Sequence, residues 1–293
     1  MDQAEQLRII KAGQQARPLA RVITVTSGKG GVGKSNTSIN LAIQFRKMGQ
    51  RVIILDADFG LANIEIMFGT VPQHNLCDLI YQGKNIKEII TWGPMDVGFI
   101  SGGSGIVGMS NLSRDYLVYI IRNLAELDAI ADVIIVDTGA GISDAVLEFL
   151  VASGEILLVT TPEPTSITDS YSLLKALSNH PRYDSSNTTV KMIANRVEKE
   201  SEGEVLFNKL NAVVARYLKL PISYLGSIPQ DQQLARAVMQ QMPVSIQSPG
   251  AKSTQAFEQI AAKLMNREES TRQPKRGMAA FFSHMISGKR GKE

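Results

Sequence analysis

The sequence predicts an α/β fold: a doubly wound, mostly parallel sheet flanked by helices on both faces. Three observations predict it. Short apolar runs rich in β-branched residues alternate with longer amphipathic stretches along most of the 293 residues. The apolar runs lack polar alternation, as do strands covered on both faces. Regular strand–helix alternation implies right-handed crossovers, and hence parallel neighbours.

In chain order, strands are expected at 22–27, 51–56, 97–101, 133–137, 156–161, 189–195 and 222–228. Helices are expected at 35–48, 113–127, 144–153, 167–178, 204–217 and 230–239, where apolar residues keep helical spacing. All of these fall in one domain, 21–266, with no internal repeat. Residues 1–20 read as an N-terminal extension with a short helix, Ala4, Leu7 and Ile10 on one side, ending near Gly13 and Pro18. Residues 267–277, polar and charged with Pro274 and Gly277, read as a linker to a last segment, 278–293.

Composition narrows the class. A hydrophobic fraction of 44% and a charged fraction of 20% are those of a globular protein with a sizeable core. The net charge is +3, yet seven Lys/Arg against three Asp/Glu fall between 267 and 293, which leaves the rest near neutral. An acidic partner is therefore expected at the tail, and direct nucleic-acid binding by the core is not. Cys77 is the single cysteine, which excludes an intramolecular disulfide and a cysteine-rich metal site within one subunit. No apolar run approaches the roughly 18 residues of a membrane span, and the start lacks a secretory pattern. The expected compartment is the cytoplasm.

Gly28-Lys29-Gly30-Gly31-Val32-Gly33-Lys34-Ser35 fits G-x-x-x-x-G-K-[ST], after an expected strand and at the opening of an expected helix. Glycines let successive backbone N–H groups face phosphates, and the helix N-terminus favours an anion. The fold is thus expected to be a P-loop NTPase. Lys34 is expected to bridge the β- and γ-phosphates, the Ser35 hydroxyl to ligate Mg²⁺, and Asn36 to bind the nucleotide with the loop that precedes it. Asp137 ends the apolar run from Val133, where a carboxylate beside the P-loop holds Mg²⁺ through water.

Lys29, a second lysine at the front of the loop, carries a resemblance. K-G-G-x-G-K-[ST] is similar to the signature of the MinD/ParA family of deviant Walker A ATPases, and the likeness covers most of residues 20–265. It implies ATP as the nucleotide and a homodimer when ATP is bound, with Lys29 reaching the partner's nucleotide as an arginine finger does. It implies that Asp56-Ala57-Asp58 opens switch I, with Asp58 positioning the attacking water and Asp56 supporting Mg²⁺. Thr138-Gly139-Ala140-Gly141 would be switch II, although many relatives carry proline where this chain has Gly139. Asn195, Arg196 and Pro229 match positions around the adenine, the Asn195 amide reading the base edge.

Within the family, Thr161-Pro162-Glu163-Pro164-Thr165-Ser166 and Ile100-Ser101-Gly102-Gly103-Ser104-Gly105 look most like the flagellar-number regulators of the FlhG branch, also called YlxH or FleN. Asp2-Gln3-Ala4-Glu5-Gln6-Leu7-Arg8 resembles the D-Q-A-x-x-L-R element with which that branch stimulates the signal-recognition-type GTPase FlhF. Asp2, Gln3, Ala4, Leu7 and Arg8 would be the partner contacts. Flagellar switch-complex proteins or a transcription regulator would lie downstream. Nitrogenase-like and Fe–S carrier branches need bridging cysteines, DNA-binding branches need basic patches on the core, and a division-site member lacks the long N-terminal extension. Two alternatives stand beside this reading: a family ATPase positioning another cargo (division site or DNA), and an ATP-bound scaffold without significant turnover.

The tail has its own signal. Met278, Phe281, Phe282, Met285 and Ile286 fall on one helical face, flanked by Lys275, Arg276, Lys289, Arg290 and Lys292. A short amphipathic helix with basic ends reads as an interfacial anchor for anionic lipid at the inner face of the cell membrane. The competing reading is a helix docked on its own domain. Five apolar side chains gain about 1.5–3 kcal/mol each at most, against about 1–2 kcal/mol per residue ordered. One copy is marginal; two linked copies on a dimer gain roughly 10²–10⁴ in affinity. The expected activity is slow ATP hydrolysis stimulated by partner or membrane.

Overall fold

The computed structural model describes residues 19–58, 63–103, 122–266 and 277–287. The chain runs β1 (Arg21–Thr26), α1 (Lys34–Lys47), β2 (Val52–Ala57), α2 (Asn63–Phe68), α3 (Leu76–Tyr81), α4 (Ile86–Ile89), β3 (Thr91–Trp92) and β4 (Gly98–Ile100). It continues through α5 (Leu127–Ile130), β5 (Val133–Thr138), α6 (Asp144–Ala152), β6 (Glu155–Thr160), α7 (Pro164–Ser178), β7 (Thr189–Val197) and α8 (Glu200–Tyr217). Then follow β8 (Ile222–Pro229), α9 (Gln232–Met239), α10 (Val244–Gln247), α11 (Lys252–Met265) and α12 (Met278–Ser287).

Eight strands form one sheet in the order β3-β4-β2-β5-β1-β6-β7-β8. Every pair is parallel except β3 with β4. The expected seven strands are present; β3 is additional, and two residues at an edge are too few to make an apolar run. β1, β2, β5 and β6 are buried at nearly every position, as a sheet covered on both faces requires. Ile23, Val25, Ile54 and Ile135 point into one core with α1 and α11. Val22, Ile53, Leu55, Ile134 and Val136 point into the other with α6 and α12.

Helix boundaries move for identifiable reasons. α9 starts at Gln232 because Asp231 caps it, Oδ1 accepting from Gln233 N at 2.8 Å. α7 starts at Pro164, whose missing N–H costs nothing in a first turn. α11 is absent from the expected set, although Phe257, Ile260, Ala261 and Leu264 keep helical spacing and are buried. Of the expected helix 113–127 only the end lies within the described residues, as does only Gly277 of the linker. The N-terminal element at Asp2, Gln3, Ala4, Leu7 and Arg8 lies outside them.

In this structure α12 is docked on its own domain. Met278, Phe281 and Phe282 are almost fully buried in the same core as Leu124, Leu127 and Phe149, and Met285 packs on its edge. The apolar face is turned inward, so in this structure it is not displayed as a membrane anchor. The Ile286 side chain lies outside those described. No described helix is long and apolar enough to cross a membrane.

Candidate nucleotide site

The site lies at the carboxyl edge of β1, β2 and β5, where the chain turns from strand into α1. Gly31 (φ 76°) and Gly33 (φ 94°) adopt left-handed backbone, which side chains disfavour. Gly33 is the N-cap of α1; no side chain caps that helix, and its first turn carries no acidic residue. Its leading N–H groups are thus left for an anion.

Lys34 and Ser35 converge on Asp137. Ser35 Oγ donates to Asp137 Oδ2 at 2.6 Å, Ser38 Oγ donates to Oδ1 at 2.8 Å, and Lys34 Nζ stands 3.5 Å from Oδ1. Asp137 is completely buried at the end of β5, and Lys34 nearly so. Ser38, one turn after Ser35, is a residue the motif did not mark. Asp56 is the register neighbour of Asp137 on β2 and is also buried. Burial, and then the neighbouring Asp137 charge, pushes the Asp56 carboxyl up to about 7.

This crowding is the test of whether Mg²⁺ fits. Two buried carboxylates share one edge with a single ammonium in ion-pair range among the described residues. The available donors, carboxylate and hydroxyl oxygens, suit a hard cation. No three His, Cys, Asp or Glu side chains gather into a metal site among the described residues. A Mg²⁺ ion here therefore fits as one shared with phosphate oxygens, Ser35, Asp56 and Asp137 being the residues that would hold it.

Asp58 sits just past β2, its N–H donating to Asp56 Oδ1 at 3.1 Å. Asn63 Nδ2 donates to Asp58 Oδ2 at 3.3 Å, so a residue five positions on orients the carboxylate. Asp58 also faces switch II: a Cβ on Gly139 would lie 3.6 Å from Asp58 Oδ1. Switch II is tied back to β1, Gly141 N donating to Ser27 O at 3.0 Å.

Lys29 takes a different direction from Lys34. Its Nζ donates to Glu163 Oε2 at 2.7 Å and to Thr165 Oγ1 at 2.8 Å, on the surface of its own chain.

Asn195 reaches back to the phosphate loop. Its amide is committed to the P-loop itself, Nδ2 donating to Val32 O at 2.7 Å, while Oδ1 accepts from Arg196 N at 2.9 Å. A buried amide so engaged clasps the P-loop in this structure. Arg196 adopts φ 59° and Nη2 donates to Gly31 O at 2.7 Å, a second brace on the same loop. Pro229 ends β8 beside Val197. Asn36 lies half-exposed in the first turn of α1, its carbonyl accepting from Asn40 Nδ2 at 2.9 Å.

With this geometry in hand, comparison with known proteins is decisive. A family model described as ParA, the NUBPL iron-transfer P-loop NTPase, matches residues 18–265. The chain belongs to the ParA/MinD family of P-loop ATPases. Antiactivator FleN of Pseudomonas aeruginosa is 39% identical over 244 residues, spanning 83% of this chain and 86% of FleN. Flagellum site-determining protein YlxH of Helicobacter pylori is 34% identical over 270 residues, 91% of this chain and 90% of YlxH. Both names belong to the flagellar-number branch that the sequence resembles. The septum site-determining protein MinD of Pyrococcus horikoshii, solved with Mg-ADP, superposes with a TM-score of 0.65. At 22% identity, over 85% of this chain and 98% of that one, it shares the fold.

Proposed function

We propose that this ATPase is a nucleotide-switched dimer that sets flagellar number or placement. The observation that carries the reading is the likeness to YlxH, a flagellum site-determining protein, over 91% of the chain. The P-loop would cradle the phosphates of ATP, and Mg²⁺ held beside them would offset their charge. Lys34 would hold the phosphates, and Ser35, Asp56 and Asp137 would hold the metal. Asp58, steadied by Asn63, positions the attacking water. Lys29 acts in trans, on the nucleotide of a second copy. Arg196 and Pro229 border the base, and Asn195 keeps the loop that meets it in shape.

ATP-driven dimerisation pairs two tail helices, and their linked binding draws the protein to the inner face of the cell membrane. The N-terminal element stimulates an FlhF-type GTPase, with switch-complex proteins or a transcription regulator downstream. The test is GTP turnover by such a GTPase, with the full chain, a peptide of residues 1–20, and its Gln3→Ala form. Stimulation by the first two and not the third supports the reading. No stimulation by either returns the protein to a ParA/MinD ATPase without that partner.

A further inference from the structure

Two distant segments of the chain meet at one carboxylate. Asp128 lies on α5, and its Oδ1 accepts from Met278 N at 2.9 Å, at the start of the tail helix α12. Burial pushes the Asp128 carboxyl up, while hydrogen bonds from the backbone N–H groups of Met278, Ala20 and Ala279 pull it back. Ala20 is where the N-terminal extension joins the domain. The next residue, Arg21, opens β1 and donates its N–H to Asp132 O at 2.9 Å. Ala20 and Met278 are both fully buried, in the same core.

α12 depends on this carboxylate for its first turn. The helix opens at Gly277, whose carbonyl accepts from Phe281 N at 3.1 Å. Glycine has no side chain to satisfy the orphaned N–H groups that follow. Asp128 supplies that cap from 150 positions away, with the negative charge a helix N-terminus favours. The approach is close: a Cβ at Gly277 would lie 2.3 Å from Asp128 Oδ2, so only glycine fits.

Departure of α12 takes two of these three N–H donors from Asp128 and opens Ala20 to water. The seat of the extension then rests on one hydrogen bond that water can replace. Loosening would stop at Arg21, which belongs to the sheet. By linkage, whatever weakens the seat of Ala20 weakens the docking of α12 by the same factor. We propose that Asp128 makes tail docking and seating of the N-terminal extension one event, so that the extension is held while α12 is docked and is freed for its partner when α12 leaves. The last step rests on the function proposed above.

The test is hydrogen exchange of the full chain without nucleotide, read at Ala20, at 22–25 within β1, and at Met278 and Ala279. Gly277→Ala pushes the start of α12 off Asp128 and changes nothing at Ala20 itself. Protection at Ala20 is expected to fall by roughly tenfold or more, as for loss of a hydrogen bond to a charged group, with β1 unchanged. Ala20→Pro is the reverse case: it removes the Ala20 donor, and protection at Met278 and Ala279 should fall by a comparable factor. Wild-type protection at Ala20 in a Gly277→Ala protein whose Met278 and Ala279 are deprotected overturns the proposal. So does wild-type protection of the tail in Ala20→Pro, which also decides the matter if Gly277→Ala loses protection throughout β1. GTP turnover by an FlhF-type GTPase reads the last step. Gly277→Ala should stimulate at roughly tenfold lower concentration than wild type, and the peptide of residues 1–20 bypasses the clasp. Equal stimulation by Gly277→Ala and wild type overturns the release step. No stimulation by either protein or the peptide refutes the partner reading alone, and the exchange arms still decide the clasp.

Discussion

Phe281 of the C-terminal helix stacks against Phe149 of α6, with ring centroids 6.1 Å apart and planes at 30°. α6 starts directly after Ser143, its N-cap, two residues beyond switch II. The tail thus packs on the element that follows the expected nucleotide switch. Both of its ends are held. Met278 N donates to Asp128 Oδ1 at 2.9 Å, and Arg182 Nη1 donates to His284 O at 2.8 Å while its other arm meets Glu148. Leaving the core costs on the order of 1.5–3 kcal/mol for each buried apolar side chain, which an apolar membrane interior restores. The docking seen here and the proposed membrane insertion would use the same face, and the end contacts favour docking.

Arg182→Ala should shift that exchange toward the membrane. It removes a charged hydrogen bond at the C-terminal end of α12, where a cation is favourable. Such bonds contribute about 1.5–3 kcal/mol, so vesicle binding in the absence of ATP should rise by roughly tenfold or more. Flotation with anionic vesicles checks this. Unchanged nucleotide-free binding would mean that the arginine does not restrain the tail.

Asn195→Ala should weaken ATP binding by loosening the loop. The substitution leaves the Val32 carbonyl without its 2.7 Å partner. An orphaned buried acceptor costs about 1–3 kcal/mol, so nucleotide affinity should fall by roughly 5- to 150-fold. Titration calorimetry with ATP and with inorganic triphosphate separates the roles. A clasp weakens both alike, whereas a base reader would weaken ATP alone.

Asp56 predicts a pH dependence. Burial, and then the Asp137 charge, pushes its carboxyl up to about 7 in the folded protein from an ordinary value near 3.8. The folded state therefore binds more protons between those values, and nucleotide-free stability falls as pH rises through that window. Melting temperature should drop from pH 4.5 to pH 7.5, and Asp56→Asn should flatten the profile. Saturating Mg-ATP should oppose the drop, because Mg²⁺ beside Asp56 would favour the ionised carboxylate. A wild-type profile as flat as that of Asp56→Asn would contradict the assignment.

The sheet and the phosphate loop were legible in the sequence because both are local patterns. Val133 to Asp137 announces a buried strand ending in a carboxylate, and the loop motif needs only eight consecutive residues. Contacts between distant segments were not legible. Lys29 meets Glu163 across 134 positions, and Asn195 meets Val32 across 163. The tail shows a different limit. Met278, Phe281 and Phe282 make the same apolar face whether a membrane or a protein core covers it, and only packing on Phe149 tells which. Ser38 could have been found, since it lies one turn after Ser35 on the same side of α1 as the Asp137 carboxylate.

The central claim is an ATP-dependent dimer whose hydrolysis depends on Asp58 and whose assembly depends on Lys29. Light scattering of Asp58→Ala and of Asp58→Ala/Lys29→Ala, each with Mg-ATP, tests it most directly. Asp58→Ala retains ATP without turning it over and should hold the mass of two chains, while the double variant binds ATP and keeps the mass of one. An Asp58→Ala protein that stays monomeric with ATP bound, or a double variant that dimerises equally well, would contradict the account.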